Sequence, residues 1–175
     1  MKIKDDLKYQ TPPDVCKYMV SMVPEESFRI LEPTAGAGHI VDALRDKNKW
    51  FRIDTPGDIF SYFSNCSRYW DCIVMNPPFS DKYAFNVPAD INEKGMRLGY
   101  YILTECMKRT DHVIALMPWF TISDSDVRLK FLKDYGLKSI TALPRKTFQY
   151  ARIQTMVLEL ERGYIGDTIF KTMYK

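Results

Sequence analysis

The tetrapeptide Asn76-Pro77-Pro78-Phe79 ends an apolar run, Cys72 to Met75, and brings an amide side chain, a proline-fixed carbonyl and an aromatic face together. The run is short and flanked by turn formers, so it reads as a buried strand that the proline pair stops abruptly. In open α/β sheets ligands bind at the carboxyl ends of the strands. A stiff turn there would present two hydrogen-bond acceptors and a stacking surface at one spot.

A second stretch with chemical content lies upstream. In "LEPTAGAGHI" (31–40) a strand carrying Ile30 and Leu31 runs through Gly36 and Gly38 into a helix. Glycines let the backbone turn sharply and approach a ligand closely, and the helix N-terminus adds partial positive charge. No GK[ST] and no third glycine follow, so this is neither a P-loop nor the full dinucleotide fingerprint. Taken alone it is a tight turn. Glu32 changes its meaning, because an acid beside the crevice repels a pyrophosphate and welcomes the cationic amino group or sulfonium of S-adenosylmethionine.

The elements that must position these groups follow from the rest of the chain. At 175 residues the sequence has the length for one domain with a real core, taken as 1–175, and is short for two. Nearly half of the residues are apolar, which excludes a disordered chain, and the net charge of +3 permits a nucleic-acid partner without arguing for one. Cys16, Cys66, Cys72 and Cys106 are irregularly spaced with no CxxC pair, which suits reduced thiols in a cytosolic protein better than disulfides or zinc, and no metal site is expected. No segment has the length of a membrane span, and "MKIKDDLKYQ" lacks the apolar core of a signal peptide, so a cytoplasmic location is expected.

Along the chain, "TPPDVCKYMVSMV" (11–23) spaces Val15, Tyr18, Met19 and Met22 for a helix, with prolines in its first turn. Residues 27–46 read as strand, glycine turn and helix. Residues 49–79 offer a short strand near Trp50 to Ile53, a turn at Pro56-Gly57 and the buried strand before Asn76. A helix is expected in the second half of 91–109, a buried strand at 112–120, and a helix at 123–135 capped by Ser123 or Asp124. A strand at 137–144 and an alternating one at 152–162 complete the list, and this last pair, joined without a helix, should be antiparallel. The alternation of strands and helices predicts an α/β protein with a mostly parallel sheet. The stretch 80–95 shows no period, and loops of that length inside a compact domain tend to be functional or mobile.

On these residues the chain resembles the N6-adenine DNA methyltransferases, class I S-adenosylmethionine enzymes with a Rossmann-like fold. "EPTAGAGHI" is similar to their cofactor motif, "NPPF" to their catalytic motif, and "KYQTPPDV" (8–15) to the segment packing over the methionine end of the cofactor. The three occur in the family's order, and "ALMPWFTISDSDVRLKFL" and "ITALPRKTF" fit its later strands. The resemblance implies transfer of a methyl group from S-adenosylmethionine to the N6 amine of adenine in DNA. It assigns Asn76, Pro77, Pro78 and Phe79 to the chemistry, and Tyr9, Thr11, Glu32, Pro33, Thr34, Gly36 and Gly38 to the cofactor. An amine delocalised into a ring is a poor nucleophile. Accepting both of its N–H bonds, at the Asn76 oxygen and the Pro77 carbonyl, localises the lone pair, while Phe79 stacks on the base. RNA adenine is one alternative substrate. Protein glutamine is another, because release-factor glutamine methyltransferases resemble the same pattern with tyrosine in place of phenylalanine.

The pattern is thin at "FRIDTPGDIF" (51–60). The family carries a ribose-binding acid on its second strand and an acid near the cofactor adenine on its third. Asp58, with Ile59 and Phe60 lining the pocket, resembles the latter, and Asp54 is then the ribose ligand or a solvated turn residue. So close a pair leaves no room for a helix between two strands. The resemblance also lacks a target-recognition domain, so a partner subunit, or a non-catalytic relative that needs one, is an alternative. Within the chain, Lys82, Tyr83 and Phe85 of the 80–95 loop are the substrate-contact candidates. His39 could touch the cofactor carboxylate or pack at the helix start, and His112 reads as structural. Arg145, Lys146 and Arg152 could meet phosphates or form a charged rim, and Trp119 and Phe120 could border the cleft or belong to the core.

Overall fold

The computed structural model describes residues 9–79, 87, 98–148 and 153–174. Helix α1 (Pro13–Ser21) opens with Pro12 at its N-cap, where a missing N–H costs no hydrogen bond. Strand β1 (Arg29–Leu31) passes through the glycine turn into α2 (His39–Lys47), and β2 (Arg52–Asp54) leads to α3 (Ile59–Asn65) and β3 (Cys72–Met75). Then come α4 (Leu98–Met107), β4 (His112–Pro118), the short α5 (Phe120–Ser123) and α6 (Asp126–Tyr135). Strands β5 (Leu137–Ala142), β6 (Thr155–Glu161) and β7 (Ile169–Thr172) follow.

The seven strands form one sheet in the order β2-β1-β3-β4-β6-β5-β7. Strands β2, β1, β3 and β4 pair in parallel, and β6 runs antiparallel between β4 and β5. The antiparallel β5–β6 pair is the one expected from the helix-free connection. Because β6 inserts between two strands, Thr155 to Leu158 are all buried where the sequence suggests alternation. Strand β7, parallel to β5 at the edge, has no counterpart in the sequence reading, since three of its four residues are exposed and carry no period.

The strand pleat divides the core in two. Ile30, Cys72, Val74, Ile114 and Leu116 point to one face and pack against Val15, Met19 and Val20 of α1 and Ile40 and Leu44 of α2. Their neighbours Leu31, Ile73, Met75, Val113 and Ala115 point to the other, against Ile59 and Phe63 of α3, Ile102 and Leu103 of α4 and Leu132 of α6. Helices therefore cover both faces, and the sheet's carboxyl edge is held from either side.

Two expectations are corrected. Residues 51–60 contain one strand, β2, and not two; Asp58 is the N-cap of α3, its Oδ1 accepting from the N–H groups of Phe60 (3.0 Å) and Ser61 (3.4 Å). A helix thus does lie between β2 and β3. "IFSYFSN" has weak intrinsic helix propensity, and burial of Ile59 and Phe63, one turn apart, decides the conformation. Helix α6 is capped by Ser125, whose Oγ accepts from the Arg128 N–H at 3.3 Å, while Ser123 and Asp124 close α5. The expectations for Lys82, Tyr83, Phe85 and Arg152 lie outside the described residues.

Removal of the α6 cap by Ser125→Ala is expected to lower stability by about 1 kcal/mol in urea unfolding, with Ser123→Ala costing about half of that or less. Equal losses in the two variants would contradict the cap assignment.

Candidate active site

Strand β1 pairs with β2 on one side and β3 on the other, so the turns after β1 and β3 emerge side by side at the carboxyl edge. The chain departs from β1 in opposite directions there, which is a topological switch point. Glu32 and the glycine turn leave from β1. Asn76 to Phe79 leave from β3, and the segment 9–12 ties the two together.

The tie runs through Thr11 and its neighbours. Asn76 Nδ2 donates to the Tyr9 carbonyl and to Thr11 Oγ1, both at 3.0 Å. A backbone carbonyl can only accept, so the atom facing it must be the amide nitrogen, and Oδ1 is left as the acceptor. No described residue donates to that oxygen. The Thr11 carbonyl accepts from His39 Nδ1 at 3.1 Å, which places the ring proton on that nitrogen, and from Cys16 Sγ at 3.5 Å. His39 therefore braces the start of α1 against the start of α2. Gln10 Oε1 accepts from the Ala37 N–H at 3.0 Å, and its amide lies across Gly36.

The glycine turn requires Gly36. Its φ is +53°, and a Cβ there would stand 2.9 Å from Gln10 Nε2 and 3.0 Å from Gln10 Oε1. Gly38, at φ +90°, is the N-cap of α2. Pro33 is buried beneath the turn. Thr34 faces back onto Glu32, donating to its Oε1 from the backbone N–H (2.9 Å) and the hydroxyl (3.1 Å).

Glu32 is 1 % exposed, and its Oε2 is buried with no hydrogen-bond partner among the described residues. Burial disfavours the charged form and outweighs the two Thr34 bonds, so the carboxyl is pushed up to about 8. A buried acceptor left unmade costs on the order of 1–3 kcal/mol, and a cationic group brought to it would remove that cost. The residues present therefore fit the cationic end of S-adenosylmethionine.

Past β2, Asp54 Oδ2 accepts from Trp70 Nε1 at 2.9 Å and Arg68 Nη1 at 3.3 Å. Asp54 is thus not a bare solvated turn residue; its Oδ2 satisfies a buried indole. Its carbonyl accepts from the Glu32 N–H at 3.0 Å. Asp58 and Ile59 stand at the head of α3, with Ile59 buried.

On the other side, α4 packs directly on the Asn76–Phe79 turn because Gly99 has no side chain. A Cβ there would lie 3.2 Å from the Pro78 carbonyl oxygen, 3.5 Å from Pro77 Cγ and 3.6 Å from Phe79 Cδ1. Phe79 lines a small cleft together with Phe120 and Arg128. Trp119 meets Phe170 of β7 edge-on, with centroids 6.3 Å apart. His112 opens β4 opposite Glu161, and Arg145 and Lys146 are exposed in a turn. Sequence reasoning missed Gln10, Gly99 and Arg128. Gln10 adjoins Thr11 within the "YQTP" segment, which is a usable signal, whereas the other two acquire their meaning only when α4 and α6 dock.

No protein-family model matches the sequence, and no curated protein matches it. Solved structures do. A Vibrio vulnificus YJ016 protein described as a type I restriction enzyme modification subunit superposes with a TM-score of 0.71 at 18 % identity, over 95 % of this chain and 47 % of that one. The type I restriction-modification methyltransferase subunit from Streptococcus thermophilus gives 0.73 at 12 %, over 94 % and 47 %. A Listeria monocytogenes protein described as a class I S-adenosylmethionine-dependent methyltransferase gives 0.68 at 16 %, over 96 % and 67 %. The chain spans about half the length of the first two. At these identities the likeness is one of fold: a mixed, mostly parallel sheet of the class I methyltransferase type.

The buried carboxyl generates a pH prediction. The unfolded chain ionises Glu32 near 4.5 and the folded one near 8, so across that window the unfolded state binds fewer protons and stability falls as pH rises. Glu32→Gln removes this term. The variant is expected to melt several degrees above wild type at pH 8, the gap narrowing toward pH 4.5; a gap independent of pH would overturn the assignment.

Proposed function

We propose that this chain methylates the N6 amine of adenine in DNA, using S-adenosylmethionine. The observation that carries the reading is the fixed orientation of Asn76, whose nitrogen is held by Tyr9 and Thr11 so that Oδ1 remains an acceptor beside the glycine turn. When bound, the cofactor supplies an electrophilic methyl group on a sulfonium. Glu32 Oε2 would hold its cationic end, and the backbone at Gly36 would permit close approach, with Gly38, Pro33, Thr34, Tyr9 and Thr11 shaping the wall. Asp58 and Ile59 serve the adenine ring and Asp54 the ribose.

Asn76 Oδ1 and the Pro77 carbonyl accept the two N–H bonds of the target amine, drawing its nitrogen toward a tetrahedral shape. Pro77 and Pro78 keep the acceptors from relaxing, and Phe79 stacks on the base. Positioning supplies much of the rate. The target amine would give up its surplus proton to water only after it has been methylated, so the chain needs no strong base beside Asn76. In duplex DNA the base must first leave the stack. The likeness to type I modification subunits supports a setting in which a partner subunit or a further region reads the target sequence. RNA adenine and protein glutamine are the alternative substrates that product analysis separates.

The test is incubation with methyl-labelled S-adenosylmethionine and, separately, unmethylated DNA, RNA or peptide, with mass analysis of the product. N6-methyladenine in DNA is the expected result. Asn76→Ala should abolish transfer and leave cofactor affinity within about twofold, as read by calorimetry. Gly36→Val, by contrast, should remove cofactor binding. Near-normal turnover in the first variant, or unchanged affinity in the second, would overturn the respective role.

A further inference from the structure

The cleft beside Phe79 is walled by Tyr100 of α4, Pro118 at the end of β4, Phe120 and Thr121 of α5, and Arg128 in the first turn of α6. Its lining is aromatic and apolar apart from Thr121 and Arg128. The Arg128 guanidinium lies over the Tyr100 ring, 5.1 Å from the centroid, and the side chain is half-buried. Arg109 and Arg162 each pair with a carboxylate, Glu105 and Asp111 respectively. Arg128 pairs with none among the described residues. Asp126 is two positions away on the helix, about 200° around its axis, and Asp124 accepts from the Ser123 hydroxyl at 2.9 Å.

A guanidinium held on an aromatic face beside a stacking cleft, with no acid among the described residues to meet it, is placed for a planar bidentate anion. We propose that Arg128 binds a backbone phosphodiester of the substrate strand, next to the nucleotide whose base lies against Phe79 and Phe120. The inference rests on the nucleic-acid reading above and names a contact that no part of that reading requires. It also has a physical purpose. An extruded base stays in the cleft only if its flanking backbone is gripped, and a phosphate held on α6 would fix the strand relative to the turn carrying Asn76.

The test is fluorescence anisotropy with the full chain and S-adenosylmethionine, across a salt series, using a short labelled duplex in which one adenine faces an abasic site. The RNA strand of the same sequence forms a second arm. Arg128→Gln is expected to weaken binding about tenfold at low salt and to lower the slope of log affinity against log salt by about one. Arg128→Lys should keep the slope and lose less affinity. Thermal melting and cofactor calorimetry, unchanged in both variants, establish that the fold is intact. Wild-type binding to DNA or RNA that Arg128→Gln leaves superimposable at every salt concentration would overturn this contact while leaving the methyl-transfer reading in place. Absence of wild-type binding to either nucleic acid, with methyl transfer to a glutamine peptide, would overturn both.

Discussion

An amide side chain is useful as an acceptor only when something prevents it from rotating, and the arrangement of this site depends on that restraint at Asn76. Tyr9 offers a carbonyl and Thr11 a hydroxyl, so the nitrogen is claimed on both of its hydrogens. Thr11 is in turn held by His39 at the head of α2, and Gln10 by Ala37 in the glycine turn. One segment before α1 therefore sets the distance between two motifs that lie nearly forty residues apart. Prolines at positions 12 and 13 give that segment a stiff exit into α1, and Gly99 lets α4 press on the Asn76–Phe79 turn from the opposite side.

The same edge stores an electrostatic cost. Glu32 follows β1, covered by the turn it precedes, and one of its oxygens has no hydrogen-bond partner among the described residues. A protein interior tolerates such a group by keeping it protonated or by reserving it for a cation. The neighbouring Cys16 thiol is pushed up to about 11, chiefly by burial and next by the Glu32 carboxyl, so it does not compete as a charged group. Polar chemistry at this edge is concentrated in a few oriented acceptors within an otherwise apolar setting.

The region between β2 and β3 shows how a shortened unit can remain well packed. A single helix, α3, spans it and buries Ile59 and Phe63. The buried Trp70 indole needs an acceptor, and Asp54 provides it, with Arg68 balancing the charge. Asp54 is thereby oriented by a structural duty, and Asp58 by the capping of α3. Both acids named from the pattern have local work that the pattern does not reveal.

Much of this was legible in the chain. Apolar runs ended by glycine or proline identified β1, β3 and β4, and the spacing before and after them identified α1, α2 and α6, because burial periodicity and turn chemistry are local properties. Locality also explains the failures. Helix α3 has poor propensity and forms because the core takes Ile59 and Phe63, while β7 has almost no burial and forms because β5 offers it an edge. The residue types at Asn76, Glu32 and Gly36 were decided by sequence. Tertiary structure alone decided that Asn76 presents its oxygen, that Glu32 is buried with one oxygen unpartnered among the described residues, and that Arg128 faces Phe79 across a cleft. Each of those depends on groups distant in the chain meeting at a fixed angle, and neither composition nor spacing encodes an angle.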